Sequence, residues 1–286
     1  MSIRHPVFFL LISLFSSTFL PTAALAYSHP SEQLALPKII VLAADPWCPH
    51  NCDAGSSREG YMVDIARQAF ALQGIDVSYV NMSWARALQQ AQTNHIDGVI
   101  GAFKGDAKDF VYPKESLGLS ETLFFTHQNS EWTYQGLPSL ESLTLLTIVN
   151  YFYAPDINAY IHEHRENQDR ILELSGTKPL PQALALIHEQ RAQLLLEDSQ
   201  VMAWALQSER NPPELRSAGK VYSAPIYAAF SPSSPHAEEL ARILSDGVRH
   251  LRATGDLKRI YESYGLGDDW KARIVSPEGA LNNSSP

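Results

Sequence analysis

Three short apolar runs, KIIVLAA (residues 38–44), IDVSYV (75–80) and DGVIGAF (97–103), alternate with two stretches of helical spacing. In the first stretch Val63, Ala66, Ala69 and Phe70 recur on one helical face, and Gly74 supplies a stop. In the second, Ser83 stands as an N-cap ahead of a helix reaching about residue 93. Strand, helix, strand, helix, strand at this spacing predicts an α/β fold built on parallel strands with right-handed crossovers. After a charged, Pro- and Gly-containing break over residues 104–120 the pattern restarts. Strands are predicted at 143–149, 170–174 and 193–197, and helices at 155–165, 181–190 and 199–207. Two strand-like segments, GKVYSA (219–224) and IYAAFS (226–231), precede helices over 236–253 and 256–264. Two cycles, each with its own apolar strands, imply two similar lobes.

The N-terminus sets the compartment. Arg4 and His5 precede an apolar segment over residues 7–20, and Ala24-Leu25-Ala26 offers a small-x-small site. This is the pattern of a secretory signal peptide (residues 1–26) cleaved after Ala26, too short to span a bilayer. No later apolar run reaches the roughly 18 residues of a membrane helix. The chain is therefore read as an exported, periplasmic protein that is not membrane-embedded. A net charge of -9 over 286 residues argues against nucleic acid, whose binding requires clustered Lys and Arg. The two cysteines, Cys48 and Cys52, pair most simply as a disulfide in such a chain. The loop they close is tiny, which puts the entropic stabilisation at the low end of roughly 0–5 kcal/mol. The bridge is expected to shape the loop more than to hold the fold.

That loop, residues 47–64, leaves the end of the first predicted strand. In open α/β sheets ligands sit beyond the carboxyl ends of strands, so Trp47 at its head is a candidate contact.

Several segments, in this order, carry a family likeness: IIVLAADPWCP, GYMVDIARQAF, NMSWARALQQAQTNHIDGVIGAF, DFVYP, LLLEDSQV and GDLKRIYESYG. The chain resembles the periplasmic solute-binding proteins of the amino-acid-binding type (bacterial solute-binding protein family 3) over residues 37–267. The resemblance implies a two-lobed, type II periplasmic-binding-protein-like fold, with two mixed sheets flanked by helices and two crossover segments, here 123–128 and 226–231. Lobe 1 would comprise 37–126 plus 228–270, lobe 2 would comprise 127–227, and 271–286 would form a disordered tail. It further implies a monomer without a cofactor that closes on a small-molecule ligand and serves a membrane permease or receptor. The alternatives are a periplasmic enzyme of the cyclohexadienyl dehydratase type and a ligand-presenting sensory module.

The resemblance also distributes roles. Trp47 and Trp84 fall where the family places aromatic rings on the two faces of the ligand; the other reading of each is core packing. Arg86 opens its helix, where a cation is poorly matched to the dipole, and would meet an anionic group or stand solvated. The stretch KGDAKDFVYP has no arginine to grip a carboxylate, leaving Lys104 or Lys108 as a point charge. Tyr151 and Tyr153 make a bulky turn where the family has a small one, flooring the pocket or packing between lobes. Asp198 would pair with a ligand amine, with Glu197 beside it, or would serve as the N-cap of the next helix. His162, Glu163 and His164 do not share a helical face, and the Cys48, His50 and Cys52 set is read as disulfide rather than zinc, so no metal is expected. No hydrolase, metalloprotease or P-loop motif is present.

Overall fold

The first strand, β1 (Ile39–Ala44), lies between two parallel neighbours, β2 (Asp76–Asn81) and β3 (Gly98–Ala102). The structure is a computed structural model that describes Met1, Ser2 and residues 35–267. Apart from Met1 and Ser2, the signal peptide expected over 1–26, its cleavage after Ala26 and the tail expected over 271–286 lie outside the described residues. The crossovers are α1 (Tyr61–Ala71) and α2 (Trp84–Gln92). Helix α1 buries Val63, Ala66, Ala69 and Phe70, the face that the spacing predicts. Ser83 holds the N-cap position of α2, although its side chain makes no capping bond.

Strand β4 (Gly118–His127) leads into the second cycle: β5 (Leu145–Ile148), α3 (Pro155–His164), β6 (Ile171–Leu174), α4 (Pro179–His188), β7 (Leu194–Asp198) and α5 (Ser199–Ser208). The chain then returns through β8 (Leu215–Phe230) and ends in α6 (Ala237–Thr254) and α7 (Asp256–Ser263). The strand order is β2-β1-β3-β8-β4-β7-β5-β6.

The two segments expected as separate strands, 219–224 and 226–231, form one long strand. Its beginning, up to Ile226 opposite Gly118, pairs with β4. Its end, Tyr227 to Phe230, pairs with β3. Pro225 sits beside the switch, a position consistent with a residue that cannot donate to a ladder. The sheet thus has a first half (β2, β1, β3 and the end of β8) and a second half (the start of β8, β4, β7, β5 and β6). The second of the expected crossovers, 226–231, coincides with this switch. Residues 123–126 of the first pair with β7 inside the second half, and the outgoing chain changes halves near Gly118. A Cβ at Gly118 would stand 2.2 Å from the Tyr61 hydroxyl, so the crossing point admits no larger residue without displacing that ring.

Each half has its own packing. Phe70, Phe230, Ile40, Leu42 and Ile100 lie fully buried around β1 and β3, while Phe124, Leu140, Leu145 and Ile157 centre a second cluster under β4 and β5. Burying side chains of this size contributes about 1.5–3 kcal/mol each.

Candidate functional site

The loop after β1 is built on the first turn of α1. The Tyr61 and Met62 amides donate to the carbonyls of Pro49 and His50 at 3.0 Å each, and the Cys52 amide donates to Glu59 O at 2.6 Å. Donors that a helix start leaves unsatisfied are thereby supplied with acceptors. Gly60 permits the approach: its φ is +108°, and a Cβ there would stand 2.5 Å from both Asn51 Cα and His50 O. The Cys48–Cys52 disulfide closes the same turn. The loop therefore presents Trp47, His50 and Asn51 on a fixed frame.

Opposite it, the turn before α3 presents Tyr151 and Phe152. Together with Ala44, Asp45, Trp47, Asn51, Trp84, Ile100, Gly101, Phe103 and Asp106 they bound a cavity between the two halves. Its volume is about 30 Å³, room for about one or two waters. The walls are aromatic. Trp84 meets Tyr151 edge-on at 6.5 Å between centroids, and Phe103 lies 6.0 Å from Phe152 and 6.3 Å from Trp47.

Hydrogen bonds tie the halves across this cavity. Tyr151 Oη donates to Asp45 Oδ2 at 2.6 Å, and the Phe152 amide donates to Asp106 Oδ1 at 3.1 Å. Trp47 Nε1 donates to Glu197 Oε1 at 2.8 Å, and His50 Nε2 lies 3.0 Å from Asp198 Oδ1. Behind His50, its Nδ1 lies 2.7 Å from Tyr61 Oη.

Burial sets the carboxyls apart. Desolvation pushes Asp45 and Asp106 up to about 7 and Glu197 up to about 8, only partly offset by their hydrogen-bond donors. Burial pushes Asp198 the same way, but His50, Ser120 and the α5 amides outweigh it and hold Asp198 below the usual carboxylate range. Both Asp198 oxygens are occupied: Oδ1 accepts from the Gln200 and Val201 amides, and Oδ2 accepts from Ser120 Oγ and the Glu121 amide.

Over residues 39–267 the sequence matches the model of the bacterial extracellular solute-binding proteins, family 3. The chain belongs to that family. No curated protein matches it in sequence. Several solved structures share its fold. An ancestral arginine-binding protein bound to glutamine superposes with a TM-score of 0.65 at 13% identity, covering 82% of this chain and 100% of that one. A putative L-cystine ABC transporter protein from Listeria monocytogenes gives 0.66 at 15%, covering 81% and 97%. A histidine kinase sensor domain with similarity to periplasmic binding proteins gives 0.63 at 18%, covering 79% and 95%. Among the described residues no helix is long and apolar enough to cross a membrane.

Within this solute-binding fold, Trp47, Trp84 and Tyr151 come together on the cavity, as do Asp45, Asn51, Phe103, Asp106 and Phe152, which sequence reasoning did not single out. Arg86, Lys104 and Asp198 are not brought there. Arg86 follows Trp84 by two residues, about 200° around a helix, so with Trp84, Ala87 and Ala91 turned inward it is exposed. Lys104 is exposed and holds its ammonium 5.2 Å from the Tyr227 ring centroid. Lys108 is exposed, and Tyr153 is turned into the second-half core with its hydroxyl accepting from the Ile148 amide at 2.7 Å. Asp198 caps α5 and faces His50. The signal for Asp45 and Asp106 is position: Asp45 follows β1 and Asp106 follows β3, both at strand carboxyl ends.

Proposed function

We propose that the protein captures a small polar molecule, an amino acid or a related compound, between its two lobes and passes it to a membrane transporter. The observation that carries this reading is the cavity itself. It lies between the two halves of the sheet at the ends of β1 and β3; the first half contributes Asp45, Asp106, Trp47, Trp84 and Phe103, and the second contributes Tyr151 and Phe152. Trp47, Trp84, Tyr151, Phe103 and Phe152 would cover the ligand's faces, and Asp45, Asn51 and Asp106 would orient it. The cavity is too small for an amino acid as it stands, so entry requires the lobes to part, the hinge movement common in such folds. Parting exchanges the Tyr151–Asp45 and Phe152–Asp106 bonds for bonds to water or ligand.

The binding reading is preferred to the enzyme reading because Tyr61, His50 and Asp198, the connected titratable series beside the cleft, do not line the cavity. Presentation of the ligand to a membrane receptor is the second reading, favoured by the likeness to a sensor domain. The test is a thermal-shift and tryptophan-fluorescence screen of the protein against amino acids and small metabolites. A saturable rise in Tm that Trp84→Ala abolishes supports the cleft; a ligand whose affinity is untouched by Trp84→Ala and by Asp45→Asn overturns it. Pull-down with the ligand present separates a permease from a receptor.

A further inference from the structure

The chemistry lining the cavity is lopsided. Among the described residues no Lys, Arg or His bounds it, whereas Asp45 and Asp106 both do. The surrounding cations are engaged elsewhere or exposed: His50 faces Asp198, Lys104 lies against Tyr227, and Arg86 is exposed. The side-chain donors of the lining are already spoken for. Trp47 Nε1 donates to Glu197, the Trp84 side chain hydrogen-bonds to Asp106, Asn51 Nδ2 donates to Asp45 O at 2.7 Å, and Tyr151 Oη donates to Asp45 Oδ2.

The backbone tells the same story. The turn before α3 has three successive amides that would suit an anion at a helix start, but each is taken by the protein's own acceptors. Phe152 N donates to Asp106 Oδ1, and Tyr153 N and Ala154 N donate to Asn158 Oδ1 at 2.9 and 3.1 Å. A side-chain carboxylate thus stands where an anionic ligand group would have to be received.

What is left over is acceptor capacity. Asn51 Oδ1 is fully buried, belongs to a residue on the cavity wall that is 1% exposed, and accepts from no donor. A buried acceptor without a donor carries its full desolvation cost, which a donor on a ligand would recover. The same cavity is lined by five aromatic side chains, Trp47, Trp84, Phe103, Tyr151 and Phe152, a residue type whose rings attract cations.

Resting on the cleft reading given above, we propose that the ligand is a small organic cation without a carboxylate, an amine, guanidine or quaternary ammonium compound, with Asp45, Asp106 and Asn51 as acceptors within an aromatic cage. A carboxylate-bearing zwitterion would bring its anion against Asp45 and Asp106, which compete with it for the Tyr151 hydroxyl and the Phe152 amide, the donors that opening frees. The raised values of Asp45 and Asp106 fit the same picture, since both carboxyls are desolvated with no cationic partner beside them.

Two probe pairs that differ by a single carboxylate test this: agmatine against arginine, and choline against glycine betaine, each titrated calorimetrically into the intact protein at pH 8. The expected result is at least 10-fold tighter binding of the carboxylate-free member in one pair or both. That preference should fall at least 10-fold in Asp106→Asn, with Asp45→Asn as the second variant if the first does not fold. Equal or tighter binding of arginine or glycine betaine overturns the ligand class and leaves the cleft reading intact. Failure of all four probes while glutamine or another amino acid binds does the same. Failure of all four and of every compound in the wider screen overturns both.

Discussion

Tyr151 and Asp45, 106 residues apart in the chain, meet across the cleft in a hydrogen bond of 2.6 Å between hydroxyl and carboxyl oxygens. Asp45 belongs to the half built on β1, and Tyr151 belongs to the turn before α3. The bond therefore ties the two halves together, as do Trp47 with Glu197 and His50 with Asp198.

The desolvated carboxyls make the stability of the fold pH-dependent. Asp45 and Asp106 rise from 3.8 to about 7, and Glu197 rises from 4.5 to about 8, in each case through burial. The closed fold therefore holds more protons than the unfolded chain between about pH 4 and pH 8, and its stability falls as pH rises through that window. Facing Glu197 are Trp47, Asp198, Asp45, Tyr151 and Tyr153, with His50 paired to Asp198; Asp198, held low, contributes stability that is lost only below the usual carboxylate range. Glu197→Gln should raise Tm at pH 8, by about 2–4 °C for each kcal/mol of penalty removed, and change it little at pH 4. Thermal melts across that range check this, and an equal effect at both ends would contradict it.

Asp198 is a structural residue in this arrangement. Asp198→Ala removes the α5 cap and leaves His50 and Ser120 facing an apolar methyl, with an expected loss of about 3–5 kcal/mol in urea unfolding. Asp198→Asn keeps an acceptor for the Gln200 and Val201 amides and should lose less. A folded Asp198→Ala protein that has lost ligand affinity but no stability would return Asp198 to the ligand.

Gly60 should not tolerate a side chain. Its positive φ alone disfavours Ala by about 1–3 kcal/mol, and the Cβ would press on backbone atoms of the loop that presents Trp47 and Asn51. Gly60→Ala should reduce stability and ligand affinity together; Gly55→Ala, at a positive φ of 77° with open space around it, should lose stability alone. Parallel melts and titrations of the two variants separate the effects.

The disulfide should act locally. Cys48→Ser with Cys52→Ser should lose about 2 kcal/mol or less, as expected for so short a loop, while weakening ligand binding through the freed Trp47. Unfolding and fluorescence titration in the same samples test both halves of that statement.

Much of the fold is legible in the sequence because strand burial is written in apolar runs and crossovers in helical spacing. The runs at 38–44, 75–80 and 97–103 become β1, β2 and β3, and the α1 face reads off Val63, Ala66, Ala69 and Phe70. The long β8 was not legible, because Pro225 and the polar residues before it mimic a break between two strands. At the site, Trp47 and Trp84 stand out as bulky aromatics at element ends. Asp45 and Asp106 do not, since an aspartate after a strand looks like any turn residue until the neighbouring desolvation is visible. Arg86 is the opposite case: its charge draws notice in the sequence, and its place on the helix faces it outward, away from the cavity lining. Asp198 has two compatible roles in sequence, and only its five neighbours show that both oxygens are used.

The sharing of β8 also bears on the order in which the chain can be completed. The first half lacks its last strand until Phe230 has been made, and the second lacks a neighbour for β4 until residues 215–226 are in place. Neither half can close its sheet as an early, self-sufficient product of synthesis. Both wait for the same late segment, and a chain ending before β8 would leave two unpaired strand edges, at β3 and at β4, open to other chains.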